Sequence, residues 1–506
     1  MRVWSFVVLA GCAGPAVIDP PPPAPRPTAA AAQGWRPVEM QAPFAAAAPV
    51  LLTDGRVMVQ ELDSEAWWAL TPDATGGYEH GTWAALARMP AGYTPLYTAT
   101  GVLPDGKVIV EGGEYIAGQT VWTTKGALYD PLANAWIDIA PPGGWGSIGD
   151  ASGIVLPNGV FMLSNCCTQE LALFDPSSHG WSQIGTGKRD INDEESWAQL
   201  WDDTLLTIDT NNLADLSQAE IFDYRTGMWT SAGDTPIQIS DTLPNNKGTH
   251  EIGPEVLMPT GDVLALGGNG HNVVYHTATQ TWSMAPDLPM KNGQLDVADG
   301  PGAMLPNGKV LFAASVGFTG QGTTFFEWDG ATFTEVSGTP NASFDSSFNN
   351  FMLMLPTGEV LLTDFSGDVE LYTPAPGITP TAVPVITGAP APVDPTAEPL
   401  VATPVATLFA GHTYKLEADR LNGISQGAYY GDDLSAYTNY PLVRITNDAT
   451  GHVRYCRTHE HAHRKIGPAT HGNTQFDVPA DIERGPGTIE TVANGIASPA
   501  VEINVR

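Results

Sequence analysis

The sequence predicts an all-β protein, a seven-bladed β-propeller followed by a smaller β-sandwich. A unit of about 50 residues recurs seven times between residues 34 and 374, and repeats of this length are typical of propellers and solenoids. The 506 residues include 54 glycines and 43 prolines, which favours short strands joined by tight turns over helices. After the repeats end, residues 406–506 return to short alternating strands.

Each unit is marked by a turn between two apolar runs, rich in the Pro, Asp, Asn and Gly residues that tight turns require. The two runs flanking this turn are expected to form a hairpin buried on both faces, which explains their nearly continuous apolar character. The seven turns are Leu52-Thr53-Asp54-Gly55, Leu103-Pro104-Asp105-Gly106, Leu156-Pro157-Asn158-Gly159, Leu200-Trp201-Asp202-Asp203, Met258-Pro259-Thr260-Gly261, Leu305-Pro306-Asn307-Gly308 and Leu355-Pro356-Thr357-Gly358.

A third strand of the unit carries Tyr or Phe, and a fourth carries Trp after another turn. These aromatic side chains are expected to fill the space between neighbouring sheets. The pattern resembles the kelch repeat, which implies four strands per unit and a closed ring with few exposed edges. A helical repeat is the competing interpretation, but the Gly and Pro density within the units excludes it. The aromatic pairs are Tyr129 with Trp136, Phe174 with Trp181, Phe222 with Trp229, and Tyr275 with Trp282.

Residues 1–12 resemble a bacterial lipoprotein export signal. Arg2 precedes an apolar run that ends at Cys12, which would carry a lipid after cleavage; an ordinary secretory signal or a chance match is the alternative. Residues 13–33 are rich in Pro and Ala and are expected to form an extended tether. We therefore expect an exported protein, in the periplasm, on the outer membrane or outside the cell, attached to a membrane only through Cys12.

The net charge of the chain limits the classes of molecule that it is expected to bind. The formal charge is −33, from 55 acidic and 22 basic residues. A field of that sign repels phosphate backbones and anionic headgroups, so nucleic acid is excluded as a partner. Cationic or neutral ligands, such as small molecules and glycans, are favoured.

The composition changes after the repeats. Residues 375–405 are rich in Pro, Ala, Thr and Val, which predicts a linker. Residues 406–506 contain short alternating runs, including Thr413–Leu416 and Val501–Val505. They predict an immunoglobulin-like β-sandwich.

A kelch propeller followed by a small β-sandwich resembles the galactose oxidase and glyoxal oxidase family. The resemblance covers nearly the whole chain after the tether. It implies one copper ion and a tyrosyl radical cross-linked to a cysteine, with ligands where the innermost strand of a blade begins. The C-terminal motifs that carry it are Tyr430-Gly431, Thr438-Asn439-Tyr440-Pro441-Leu442, Phe476-Asp477-Val478-Pro479-Ala480 and Ala493-Asn494-Gly495-Ile496.

Most of the implied copper donors are absent from this sequence. Tyr97 matches the cross-linked tyrosine of the family, but the other positions supply neither a thiol, a phenol nor an imidazole. Copper(II) in such a site needs nitrogen and phenolate donors, so copper-radical oxidation is not expected. The positions without a donor are Ala46, Phe348-Asn349, and Ser435 or Ala436.

Acidic residues recur where the innermost strands begin, and closing the ring brings these positions together around the axis. Asp150, Glu194 and Asp299 lie seven residues before the Pro position of their turns, and Glu251 is one residue from its equivalent. Carboxylates in one funnel repel each other, so some must be protonated, paired or bound to a cation such as Ca²⁺. With Tyr97 they are the candidate catalytic residues, because carboxyls with separated pKa values can act as acid and base. The candidate ligand-binding residues nearby are Glu195, His250, Asp296 and Asn349.

A second candidate site is the run from Cys456 to His463. On a regular strand, His459, His461 and His463 would point to one face and could bind a transition metal. An exposed His-rich loop would have the same sequence, so both interpretations stay open.

Cys166 and Cys167 are adjacent. A strained disulfide ring between them is possible, and two buried free thiols are the simpler alternative.

The leading functional hypothesis is recognition of an extracytoplasmic ligand, most readily a carbohydrate, at the acidic funnel. A metal-dependent enzyme at the same funnel (a lyase, hydrolase or non-radical oxidase) is the first alternative. A structural adhesin, in which the propeller edges contact another protein, is the second. The carboxylates could also serve only to cap strand ends.

Overall fold

The computed structural model describes residues 33–243, 248–317, 320–394, 405–431 and 435–506. The predicted leader with Cys12, and all of the predicted tether except its last residue, lie outside the described residues. No helix among the described residues is long and apolar enough to cross a membrane.

The described chain of the repeat region forms seven antiparallel sheets of four main strands, here called blades 1 to 7. The chain begins with Gly34–Pro37 (β1). Blade 1 contains Ala46–Leu51 (β2), Val57–Glu61 (β3), Trp67–Thr71 (β4) and Thr82–Ala85 (β5). The next strands are Pro95–Leu96 (β6), Ala99–Val102 (β7), Val108–Glu111 (β8), Tyr115–Ile116 (β9), Gln119–Thr120 (β10), Gly126–Asp130 (β11) and Ala135–Ile139 (β12). Of these, β7, β8, β11 and β12 form blade 2, while β6, β9 and β10 form a small accessory sheet.

Blades 3 to 5 repeat the four-strand pattern. Blade 3 contains Gly153–Val155 (β13), Phe161–Ser164 (β14), Leu171–Asp175 (β15) and Gly180–Ile184 (β16). Blade 4 contains Ala198–Gln199 (β17), Leu205–Ile208 (β18), Gln218–Asp223 (β19) and Met228–Asp234 (β20). Blade 5 contains Ile252–Leu257 (β21), Val263–Gly267 (β22), Asn272–His276 (β23) and Thr281–Ala285 (β24).

Blade 6 contains Leu295–Asp296 (β25), Gly302–Met304 (β26), Val310–Val316 (β27), Thr324–Trp328 (β28) and Phe333–Val336 (β29). A short 3-10 turn, Ser347–Asn349, precedes blade 7, which contains Phe351–Met354 (β30), Val360–Thr363 (β31) and Val369–Thr373 (β32). Strand β1 supplies the fourth strand of blade 7 by pairing antiparallel with β32. The first strand of the repeat region therefore completes the last blade, which leaves no blade one strand short.

Apolar clusters join each blade to the next. Leu103 and Ile109 of blade 2 pack in one cluster with Phe161 of blade 3. Blades 7, 1 and 2 share another cluster, which closes the circle. Full burial of a Leu or Phe side chain contributes about 1.5–3 kcal/mol, so these contacts dominate the stability of the ring. The other clusters join blades 3 and 4, 4 and 5, 5 and 6, and 6 and 7.

The predicted aromatic pairs lie opposite each other on the two outer strands of their blades. Tyr129 and Trp136 are cross-strand neighbours with ring centroids 5.1 Å apart. The pair Tyr275 and Trp282 has a spacing of 4.9 Å. Such pairs stabilise a sheet beyond their buried area.

The C-terminal region is a sandwich of two sheets. After a 3-10 turn at Pro380–Ala382, its strands are Val385–Ile386 (β33), Ala391–Pro392 (β34), Ala406–Leu408 (β35), Thr413–Asp419 (β36), Ala428–Tyr429 (β37), Leu442–Asn447 (β38), Val453–Cys456 (β39), Thr458–His459 (β40), His471–Asp477 (β41), Gly485–Ala493 (β42), Ile496–Ala497 (β43) and Val501–Val505 (β44). The sheet β33-β36-β41-β40 packs against the sheet β35-β44-β42-β38-β39 over an apolar core that includes Tyr414, Phe476 and Ile489. The immunoglobulin-like connectivity stays a prediction.

Part of the predicted linker belongs to this sandwich. Strands β33 and β34 both pair with β36. The composition did not reveal them because each is only two residues long and β34 ends in Pro392, a residue that sheets tolerate at their edges.

The sandwich covers the face of the propeller where the Leu-Pro-Asp-Gly turns lie. Backbone N–H groups of Thr458, His461 and Arg464 donate to carbonyls of three successive turns, at Thr53, Pro104 and Pro157. Beyond this contact, β37 pairs with β26, the innermost strand of blade 6. The segment around β37 therefore runs inside the central channel, from the turn face towards the opposite end, here called the funnel.

Candidate functional site

The funnel is built from residues that immediately precede the innermost strands. Tyr97, Glu194, His250 and Asp299 all have φ between 51° and 72°, in the left-handed region. Such a conformation costs of order 1–3 kcal/mol for a residue other than glycine, and clusters of it mark functional sites. The same strained backbone conformation therefore recurs on four blades just before the innermost strand.

Three carboxylates from three blades meet there. Oxygen atoms of Glu194, Glu251 and Asp299 all lie within 4.8 Å of one another. Glu194 and Glu251 are buried, and Asp299 is partly exposed. At this separation two unit charges repel by about 3–4 kcal/mol in a medium of effective dielectric constant 20. A set of close oxygen donors with an exposed side suits a hard cation.

The segment inside the channel forms one wall of this carboxylate cluster. The backbone of Gly431 approaches Asp299 so closely that a Cβ at position 431 would lie 2.4 Å from Asp299 Oδ1. The Asp299 N–H donates to the carbonyl of Ile252, 3.1 Å away, which ties blade 6 to blade 5 beside Glu251. Asp299 is thus held between two blades and the C-terminal region.

Aromatic rings line the neighbouring wall. The Tyr97 ring lies 6.1–6.3 Å from the rings of Tyr115, Phe351, Phe365 and Tyr430. The hydroxyls of Tyr97 and Tyr430 both donate to the carbonyl of Phe348, at 3.3 and 2.6 Å.

Tyr115 connects the aromatic wall to the acidic one. Burial raises the pKa of Tyr115, and the negative charges of Glu114, Asp150 and Asp299 raise it further. The Tyr115 phenol therefore stays protonated, and it donates a hydrogen bond to the Glu114 carboxylate. It stands on β9 of the accessory sheet, whose position in the repeat pattern gave no sign of this role.

A large aromatic side chain is exposed at the rim. Trp122 follows the accessory sheet and is 44% exposed. Its ring lies against Gly149, where a Cβ would be 3.1 Å from the indole, and Gly149 adjoins Asp150. An exposed indole beside clustered carboxylates is a combination suited to stacking against a flat ligand face.

The surroundings of Tyr97 do not fit a copper-radical centre. Its ring neighbours are other aromatic rings, and its hydroxyl donates to a backbone carbonyl. Of the described histidines, His250 lies nearest in sequence to the cluster, but its Nδ1 faces the carbonyl of Thr210 at 3.4 Å. Copper(II) in such a site needs nitrogen and phenolate donors together, and the close set of potential metal ligands among the described funnel residues consists of carboxylates alone.

Asp150 lies beside the cluster of three carboxylates. It is partly exposed, and its charge raises the pKa of both Tyr115 and Cys166, so it lies within electrostatic range of these two side chains. It belongs to the same acidic wall without joining the closest set.

Two of the sequence-predicted ligand-binding residues have structural roles. Glu195 is buried and forms an ion pair with Lys188 at 2.8 Å. Asn349 Oδ1 accepts from the Ser346 N–H at 3.2 Å and caps the short 3-10 turn before blade 7. These contacts give both side chains a structural role, and their assignment as ligand-binding residues stays a prediction.

Asp296 is buried near the funnel and holds backbone. It accepts N–H groups of Gly317 at 2.9 Å and Ala298 at 3.3 Å. Burial raises its pKa to about 7, despite those two hydrogen bonds. Asp296 therefore stabilises the backbone of the loop that ends at Asp299.

The three histidines of the C-terminal region do not form a metal site. Glu460 has φ 51°, which interrupts the strand after His459, so the three side chains do not share one face. His459 contacts Asp477 at 3.2 Å, His461 contacts Thr474 at 2.9 Å and His463 contacts the His471 carbonyl at 2.8 Å. Among the described residues no cluster of potential metal ligands includes them. They also lie on the turn face, at the opposite end of the propeller from the funnel.

No protein-family model matches the chain, and no curated protein matches it significantly. Solved structures with a similar fold include a copper-bound fungal alcohol oxidase of the AA5 family, 13% identical, with a TM-score of 0.51 over 94% of this chain and 99% of that one. Virginiamycin B lyase from Staphylococcus aureus is 9% identical, with a TM-score of 0.47 over 67% of this chain and 100% of that one. The second similarity is too weak to carry an argument, and the first shows the fold alone. The chain therefore has a galactose-oxidase-like β-propeller fold.

Proposed function

We propose that this protein binds a carbohydrate at the funnel through a divalent cation, Ca²⁺, held by Glu194, Glu251 and Asp299. The observation that carries the proposal is the convergence of these three carboxylates within 4.8 Å from three separate blades. Hard cations prefer oxygen donors, and sugar hydroxyls are oxygen donors that can complete the coordination of Ca²⁺.

The net charge of the chain favours the binding of a cation. With a formal charge of −33, the whole protein attracts cations, and a concave acidic site concentrates that field. A bound cation would also offset the mutual repulsion of the three carboxylates.

The aromatic residues support a carbohydrate. Trp122 offers an exposed ring at the rim, and the Tyr115 phenol, which donates to Glu114, has an oxygen that can accept from a sugar hydroxyl. Stacking against an indole and hydrogen bonding to hydroxyl groups are the two interactions that a sugar ring can make at once. Export of the chain, predicted from its first residues, is part of this proposal.

The test measures Ca²⁺ and glycan binding together. Isothermal titration of chelator-treated protein with Ca²⁺ should show one site, and a glycan panel should give binding that disappears with chelator. Asp299→Asn and Glu251→Gln should weaken Ca²⁺ binding at least tenfold. Asp138→Asn is the matched control, because it removes one charge from an exposed position on β12. Full glycan binding by the Asp299→Asn variant would contradict the proposal.

A metal-dependent enzyme at the same funnel is the second candidate, since a cation and carboxyl groups also support acid–base chemistry. Metal analysis of the purified protein separates the two. A tightly bound stoichiometric transition metal would favour the enzyme, while exchangeable Ca²⁺ favours the binding protein.

A further inference from the structure

The adjacent cysteines form a second reactive cluster near the rim of the funnel. Cys166 and Cys167 lie in the connection between β14 and β15, with their Sγ atoms 2.7 Å apart. That distance is shorter than two unbonded sulfur atoms normally approach. Asp193 Oδ1 lies 3.4 Å from Cys167 Sγ and 3.8 Å from Cys166 Sγ.

The loop that carries the two thiols is fixed by backbone hydrogen bonds. The Cys167 N–H donates to the Asn192 carbonyl at 2.6 Å, and the Cys166 N–H donates to the Ile148 carbonyl at 3.0 Å. The Asn192 N–H in turn donates to the Thr168 carbonyl at 2.6 Å. Cys167 has φ 64°, in the left-handed region. The backbone on both sides of the two thiols is thus fixed, which keeps the two sulfur atoms close together.

The two thiols differ in access. Cys166 is 3% exposed, whereas Cys167 is partly exposed. The neighbouring thiol, burial and the charges of Asp150 and Asp193 raise the pKa of Cys166. Cys167 is therefore the thiol that a reagent in solution meets first, and Cys166 is positioned to react second.

We propose that Cys166 and Cys167 are a site of reversible modification, at which exchange with a low-molecular-weight disulfide joins them in a vicinal disulfide. The Cys167 thiolate attacks one sulfur of the reagent RSSR, the S–S bond of the reagent breaks, and one RS⁻ leaves and takes up a proton. Cys166 then loses its proton and attacks Cys167 Sγ, which releases the second RSH. The pair loses two electrons and two protons, and RSSR gains them as two RSH. This inference does not depend on the proposed carbohydrate binding.

Cys456 provides a control within the same chain. It is fully buried in the core of the sandwich, and burial raises the pKa of its thiol. A thiol in that position is expected to stay reduced under conditions that oxidise the pair.

The experiment uses the full chain, first reduced and then equilibrated with mixtures of oxidised and reduced glutathione. Peptide mapping with alkylation should show a loss of two hydrogen atoms in the peptide that carries Cys166 and Cys167, reversed by dithiothreitol, while Cys456 is alkylated only after unfolding. Cys166→Ser should accumulate a stable mixed disulfide with glutathione at Cys167, because the second step is blocked. Cys167→Ser should leave Cys166 unmodified.

Phenylarsine oxide, which bridges two neighbouring thiols, provides a second measurement on the unmutated protein. It should bind the reduced chain at this pair and fail to bind the oxidised chain. The inference is overturned if wild-type protein in excess oxidised glutathione keeps both thiols alkylatable, or if it stops at the mixed disulfide on Cys167. Because these readouts need no variant, poor folding of the serine variants would not prevent a decision.

Discussion

The two ends of the central channel are made from the same repeat and have opposite characters. At the turn end, the sandwich seals the ring with polar groups that have well-defined partners, of which Arg464 is the centre. At the funnel end, strained backbone brings Glu194, Glu251 and Asp299 together. The turns therefore serve assembly, while the strand starts carry the carboxylates of the proposed ligand site.

The largest expected effect concerns the sealed end. Arg464 is 1% exposed, donates to the carbonyls of Val102 and Asn439 and to Asn439 Oδ1, and lies over the Tyr440 ring at 4.7 Å. Arg464→Met removes the donors and leaves buried acceptors, so it should lower the free energy of unfolding by about 3–5 kcal/mol. Chemical denaturation measures the change.

The control for this variant is Arg225→Met, which breaks an ion pair with Asp223 on the surface and should cost less than about 1 kcal/mol. Equal losses in the two variants would remove the distinction between a sealed end and an ordinary surface.

The next effect concerns stability: the contributions of carboxyl groups at the funnel end and on the sandwich should change with pH in opposite directions. Burial raises the pKa of Asp209, Asp296 and Asp345 to about 7 and that of Glu370 to about 8, all on the funnel side. These groups hold protons in the folded state that they lose in the unfolded state, so their contribution is full below about pH 4 and is lost as the pH rises to about 8. The melting temperature should therefore fall between pH 5 and pH 8. Glu370→Gln should reduce that slope, whereas Glu502→Gln, at an exposed position, should not.

Asp477 on the sandwich shows the reverse behaviour. Hydrogen bonds from His459, Thr413 and Arg457 outweigh partial burial and lower its pKa to about 2. Its contribution is therefore present above about pH 4 and is lost as the pH falls towards 2. Asp477→Asn should make the acid limb of the stability curve less steep, and unchanged acid behaviour would contradict this assignment.

The sequence predicts the funnel residues whose positions the repeat fixes, but not those whose orientation depends on local backbone conformation. Counting back from the turns selected Asp150, Glu194 and Asp299, because the blade repeat fixes the length of the innermost strand. It could not show that Glu195 turns away into an ion pair with Lys188, since that depends on a local backbone conformation.

The insertions between the repeats were even harder to predict from the sequence. The accessory sheet that carries Tyr115 and precedes Trp122 lies outside the blade pattern, so no periodicity pointed to it. The interrupted strand at Glu460 likewise separates three histidines that a regular strand would align. Tyr430 and Gly431 were visible only as a family motif, because their position depends on how the sandwich enters the channel.

A smaller effect concerns the wall formed by the C-terminal segment. Gly431→Ala places a methyl group 2.4 Å from Asp299 Oδ1 and should displace that carboxylate. We expect Ca²⁺ affinity to fall about tenfold, or roughly 1.4 kcal/mol, with a smaller loss of stability. Gly146→Ala is the control, because a Cβ at that position would contact nothing within 4 Å. Titration of both variants with Ca²⁺ measures the difference in affinity. Equal affinities would place the cation away from Asp299.

The smallest effect concerns the rim. Trp122→Ala should weaken glycan binding by roughly 0.5–1.5 kcal/mol without changing Ca²⁺ affinity, because the indole is exposed and is not among the three groups that would hold the cation. Phe344→Ala, at a side chain that is 73% exposed, should leave glycan binding unchanged. A loss of Ca²⁺ affinity in the Trp122 variant would show that the rim and the carboxylate cluster act as one unit.

The most direct test of the cation site is a crystal structure with Mn²⁺ in place of Ca²⁺, read by anomalous scattering. A single strong peak within coordination distance of carboxylate oxygens of Glu194, Glu251 and Asp299 is the expected result. Peaks only at other acidic residues, with none among these three at saturating Mn²⁺, would contradict the account.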